Sequence, residues 1–110
     1  MKTDKILSLL GLAKKAGKLK SGEFCVETEL KKGRAFLVIV AKDASDNTRK
    51  KYNDMCSFRH VPIYFYSTKD DLGHHIGAEH RSGVVILDEG FAKALIKELE
   101  NSQSNSEVVE

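Results

Sequence analysis

Ala35-Phe36-Leu37-Val38-Ile39-Val40-Ala41 is an unbroken apolar run, rich in β-branched residues and bounded by Arg34 and Lys42. A surface helix would show a polar face within seven residues, and a strand open to water on one side would alternate. A run with neither pattern reads as a strand buried on both faces, at the centre of a sheet that helices cover above and below.

Towards the C-terminus, Asp43 or Ser45 can cap a helix from Asp46 to about Phe58 that exposes Arg49, Lys50 and Lys51 and turns Tyr52, Met55 and Cys56 inward. Pro62, the sole proline, biases Val61 towards extended backbone ahead of a strand at Ile63-Tyr64-Phe65-Tyr66. Ser67 or Thr68 then caps a short helix through Leu72 and Ile76 that Gly77 ends, and Val84-Val85-Ile86-Leu87 reads as another strand. Asp88 opens the last helix, with Phe91, Ala92, Leu95, Ile96 and Leu99 as its apolar stripe.

Towards the N-terminus, Asp4 to Gly17 spaces Ile6, Leu10 and Ala13 by three and four, with Lys14, Lys15 and Lys18 near the negative pole of that helix. A short strand, Lys18-Leu19-Lys20-Ser21, follows, and Gly22 turns the chain into a helix that carries Val26 and Leu30 and closes at Gly33. Strands alternating with helices define an α/β fold with about four strands and helices on both faces of the sheet.

The chain has 110 residues, 41% hydrophobic and 31% charged, which suits one domain over residues 1–100. Residues 101–110 are polar, rich in Ser and Asn, and read as a disordered tail. Two cysteines, Cys25 and Cys56, lack CxxC spacing, so free thiols in a reducing cytoplasm are expected, with both side chains as core fillers. The first residues resemble neither a signal peptide nor a membrane span. The expectation is a cytoplasmic monomer without a membrane partner.

Enzyme signatures are missing. There is no G-x-G-x-x-G after a strand, no G-x-x-x-x-G-K-[ST] and no G-x-S-x-G. His74, His75 and His80, with Cys56 and His60, match no zinc spacing, and adjacent histidines on a helix point apart. No catalytic residue, metal or cofactor is therefore expected. Net charge is only +2, so the placement of charge matters more than its sum. Lys14, Lys15, Lys18, Lys20, Lys31, Lys32 and Arg34 surround a Ser21-Gly22-Glu23 turn at a helix N-terminus, whose open N–H groups and positive pole suit phosphate oxygens. A solvated basic face would carry the same residues, so charge alone leaves both readings open.

Several stretches in order resemble the superfamily of L-seven-Ae and L-thirty-e ribosomal proteins, which bind kink-turn RNA. They are Leu9-Leu10-Gly11-Leu12-Ala13-Lys14-Lys15-Ala16-Gly17-Lys18-Leu19, Ser21-Gly22-Glu23, Phe36 to Ser45, Asn47-Thr48-Arg49-Lys50-Lys51, Val61-Pro62-Ile63, Leu72-Gly73 and Gly90-Phe91-Ala92-Lys93. Together they span about residues 4–99 and fit the bacterial branch. The resemblance implies a three-layer α/β/α sandwich with a small mixed sheet. It also implies an RNA-binding, non-enzymatic protein linked to the ribosome or translation, with ribosomal RNA as partner and ribosomal proteins or translation factors as neighbours.

Relatives specific for kink-turns resemble G-x-N-E-x-x-K across the turn into the second helix, where Asn and Glu read base edges. Aligned through Gly22 and Gly33, this chain has Glu23 in the variable slot, Phe24 for Asn, Cys25 for Glu and Thr28 for Lys. Groups suited to base-edge hydrogen bonds are thus replaced, and Phe24 can either stack on an unpaired base or pack into the core, the second being the expectation. The second contact loop corresponds to residues 77–83, where Arg81 can pair with phosphate or stack on a base. The expected RNA-binding set is Lys18, Lys20, Ser21, Gly22, Glu23, Phe24, Thr28, Lys31, Lys32 and Arg81. Two other readings remain: a protein-interaction module on the same fold, and a relative of the substrate-recognition domain of RNA methyltransferases.

Overall fold

The apolar run does form a central strand. In the computed structural model, which describes residues 4–109 and side chains as far as Ser102, Leu37–Val40 is buried at every position. The elements run α1 (Lys5–Lys15), β1 (Leu19–Ser21), α2 (Glu23–Lys31), β2 (Leu37–Val40), α3 (Asp46–Arg59), β3 (Ile63–Phe65), α4 (Lys69–His75), β4 (Gly83–Ile86) and α5 (Glu89–Val109).

The sheet order is β1-β4-β2-β3. β4 lies antiparallel to both β1 and β2, whereas β3 lies parallel to β2, so the sheet is mixed. Because side chains alternate along a strand, Leu37 and Ile39 of β2 join Val84 and Ile86 of β4 in one core, together with Leu10, Leu72, Leu95 and Leu99 of α1, α4 and α5. Val38, Val40 and Val85 face the other way and join Val26 and Leu30 of α2 and Tyr52 and Cys56 of α3. This is the three-layer α/β/α sandwich: α1, α4 and α5 on one face, α2 and α3 on the other.

Local chemistry explains the boundaries. Asp4 caps α1 by accepting from Leu7 N at 3.0 Å, and Ser45 caps α3 by accepting from Thr48 N at 3.1 Å. Asp43, the other candidate there, instead accepts from Lys69 N at 2.9 Å and anchors the start of α4. Thr68 caps α4 through Asp71 N. Gly22 sits at φ +94°, a region closed to most side chains, which is why the chain can turn from β1 directly into α2. The backbone of α5 is helical from Glu89 to Val109, and residues 101–109 hold neither Gly nor Pro to stop it. Among the described residues, no helix is long and apolar enough to cross a membrane.

Candidate functional site

Ser21 ends β1 and Gly22 opens α2, so the turn between them is held from the sheet side: Gly22 N donates to Gly83 O at 3.1 Å. Gly22 offers no side chain to cap the helix, which leaves the first amides of α2 open to an acceptor from outside. The loop before β4 closes against this turn. Arg81 Nε donates to Ser21 Oγ at 3.1 Å, and Arg81 Nη1 donates to His80 O at 3.0 Å. Residues 60 apart in the chain thus share one wall.

That loop is itself braced by α4. Arg81 N donates to Lys69 O at 3.0 Å, and Gly73 lies so close to the loop that a Cβ there would fall 1.3 Å from Glu79 O. Only glycine allows this approach. The result is a cleft of about 460 Å³ between the two loops and the N-terminus of α3, lined by Ser21, Gly22, Glu23, Ser45, Thr48, Lys69, His80, Arg81 and Ser82.

Electrostatics in the cleft are mixed. Glu23 accepts from Thr48 Oγ1 at 3.0 Å and lies 3.5 Å from Lys51 Nζ. Lys51 also donates to Glu27 at 2.6 Å, a bond that raises its pKa above the ordinary lysine value, with the charges of Glu23 and Glu27 adding to it against burial. Glu23 therefore serves as a strut between α2 and α3, which leaves Lys69 and Arg81 as the cations lining the cleft. Beneath the site, Tyr52 is fully buried, and among the described residues its hydroxyl makes no well-formed hydrogen bond, with Ser82 its polar neighbour. Burial, followed by the negative charge of Glu23, pushes its pKa well above the ordinary tyrosine value.

The structure brings Ser21, Gly22, Glu23 and Arg81 together and sorts the rest of the expected set elsewhere. Phe24 does not pack into the core. Its side chain is 82% exposed, because Val26 and Leu30 define the buried stripe of α2 and Phe24 sits about 200° around the helix from Val26. Thr28, half-buried, follows one turn later on the same side. Cys25 is also half-buried rather than a core residue, whereas Cys56 is fully buried.

The lysines divide. Lys31, Lys32 and Lys18 are exposed at the other end of α2 and β1, about 13 Å of helix from the Gly22 turn. Lys20 is committed to an ion pair, donating at 3.0 Å to Glu29, whose side chain is only 2% exposed. Arg34 approaches the second Glu29 oxygen at 3.4 Å. The Lys20 hydrogen bond, reinforced by the charges of Lys20, Arg34 and Lys32 and opposed by burial, holds the Glu29 carboxyl below the usual glutamate value.

Sequence reasoning missed Thr48 and Lys69 as cleft residues. Ser45 was visible as a helix cap, but nothing local signals that the α3 N-terminus opens on the same cleft as α2. Among the described residues, no three His, Cys, Asp or Glu side chains are grouped to hold a metal ion.

Comparison with known proteins places this geometry in a family. The pattern that defines the ribosomal protein L7Ae/L30e/S12e/Gadd45 family matches residues 4–96. The RNA-binding protein YlxQ of Bacillus subtilis (strain 168) is 45% identical over 92 residues, covering 84% of this chain and 92% of that protein. The large ribosomal subunit protein eL8 of Thermoplasma volcanium is 30% identical over 98 residues, covering 88% of this chain and 81% of the relative. A Bacillus halodurans C protein of unknown function superposes with a TM-score of 0.86 at 35% identity, covering 89% of this chain and 99% of the other. The Giardia lamblia 15.5kD RNA binding protein shares the fold at a TM-score of 0.75 and 19% identity, covering 94% and 92%. With its sandwich, its glycine turn and the match over residues 4–96 in agreement, the chain belongs to the ribosomal protein L7Ae/L30e/S12e/Gadd45 family, in a bacterial branch of it.

Proposed function

We propose that this protein binds structured RNA at the cleft between the Ser21-Gly22-Glu23 turn and the residue 77–83 loop. The observation that carries the reading is the Arg81 to Ser21 hydrogen bond: it joins the two loops into one surface, where open helix amides and the guanidinium can meet phosphate oxygens. Phe24 stands exposed at the first turn of α2 and supplies an aromatic face for an unpaired base. Thr28 extends that contact, and Lys18, Lys31 and Lys32 attract the backbone from the far end of α2. Lys20 contributes less, since its charge is matched by Glu29.

The names of the relatives, an RNA-binding protein and a ribosomal subunit protein, support ribosomal RNA as the natural partner; the kink-turn is the shape implied by the resemblance of the turn into α2 to that of kink-turn-binding relatives. Recognition here relies on stacking and backbone geometry, because the side chains at the Asn and Glu slots are Phe24 and Cys25.

The test is a titration of a kink-turn RNA and an unkinked duplex at two salt concentrations. The expected result is kink-selective binding whose affinity falls with salt by a slope of about four, roughly 0.7–0.9 for each of Lys18, Lys31, Lys32, Lys69 and Arg81. Equal affinity for both RNAs would contradict shape recognition, and absence of binding to either would overturn the reading.

A further inference from the structure

The outward face of α1 carries exposed apolar surface. Leu12 is 54% exposed and lines two apolar grooves. One, of about 470 Å³, lies against α5 and is floored by Leu9, Leu12 and Ala94. The other, of about 490 Å³, lies against α4 and is floored by Leu7, Leu12 and Ile76. Both face away from α2 and α3, since α1 packs on the opposite side of the sheet.

The charge around these grooves has one sign. Lys5 and Lys97 rim the first groove and Lys14 and Lys15 the second, against a single acid, Glu98. α1 itself contains no acidic residue. Among the described residues, none of these four lysines is in an ion pair. An occupant must therefore bury apolar surface on Leu12 and bring negative charge to both flanks. A second copy of the chain would set lysine against lysine. A nucleic acid would satisfy the lysines and gain little from the leucine floor.

We propose that this face docks an acidic amphipathic helix of a partner protein, with its apolar stripe seated in the two grooves beside Leu12 and its carboxylates on Lys5, Lys14, Lys15 and Lys97. α1 is about 16 Å long, which matches three turns of such a helix lying along it. The cleft shares no lining residue with either groove, so the protein can hold RNA and partner together.

The test uses a designed helical peptide of about sixteen residues, with leucines at helical spacing and glutamates on both flanks, labelled for fluorescence anisotropy. A second peptide carries lysine at each glutamate. The acidic peptide is expected to bind the full chain about tenfold or more tighter than the basic one. Leu12→Glu, and separately Lys5→Glu with Lys97→Glu, should each weaken it by about tenfold. All three residues are exposed, and unchanged thermal melts will show that the variants fold. Saturating kink-turn RNA should leave peptide binding unaltered. Equal affinity for the two peptides, or Leu12→Glu without effect, overturns the proposal. So does displacement of the peptide by RNA, which would make the face a nucleic-acid surface. Because peptide binding is read without RNA, its failure is distinct from failure of the cleft to bind RNA.

Discussion

Phe24→Ala is expected to separate RNA affinity from stability. The ring is 82% exposed in the free protein, so its removal costs the fold no more than about 0.5 kcal/mol in either direction. If the ring stacks on an unpaired base, its loss costs about 1–3 kcal/mol of binding, or about five- to 150-fold in Kd. The assay is anisotropy titration of a labelled kink-turn RNA with wild type, Phe24→Ala, Phe24→Trp and Phe58→Ala. Phe58 is a matched control: it is 78% exposed but stands near the far end of α3, about 18 Å from the helix start that opens on the cleft. Phe24→Trp should keep or improve affinity, and Phe58→Ala should leave it unchanged. Equal affinity of wild type and Phe24→Ala would refute the stacking role. An equal loss in Phe58→Ala would show that exposed aromatics act without regard to position.

Other consequences follow from the buried contacts. Glu29 has a depressed pKa in the fold, so its ion pair contributes fully above the ordinary glutamate value of 4.5 and is lost as pH falls through the lower folded value. Glu29→Gln should cost about 2 kcal/mol at pH 7 and flatten that acid limb, as read by urea melts at pH 7 and pH 3; an unaltered limb would mean other carboxyls set it. Gly73→Ala must displace the loop at Glu79, at a cost of about 3 kcal/mol, and should weaken RNA binding through Arg81; wild-type melting and affinity would show that the loop moves freely. Cys56, fully buried with its thiol pushed up to about 11 by burial, should resist a thiol reagent at pH 8 while half-buried Cys25 reacts; fast reaction of both would contradict the packing around α3.

How much of this was legible in the sequence depends on the range of the interaction. The strand at Leu37–Val40 was readable because burial on both faces leaves no polar residue in the run. The caps at Ser45 and Thr68 were readable because capping is local. The exposure of Phe24 was within reach as well, since the angle from Val26 around α2 follows from helix geometry alone. The core reading failed by weighing the residue type above its place on the helix. Other features have no local signal. Glu29 looks like any helix glutamate until the return of α2 along β1 brings Lys20 to it, and the Arg81 to Ser21 bond depends on strand order in the sheet. Lys69 enters the cleft only because α4 packs against the loop before β4. The lysine cluster was visible as composition, but its placement away from the Gly22 turn, with Lys20 paired to Glu29, was not.

The most direct test of the central claim is to map the RNA contact by amide chemical-shift perturbation, titrating isotope-labelled protein with a kink-turn RNA. The account predicts the largest shifts at residues 21–25, 45–48 and 80–82, with smaller ones at Lys31 and Lys32. Shifts concentrated on Ser8, Leu12 and Lys97 instead, with the Gly22 turn unmoved, would contradict it.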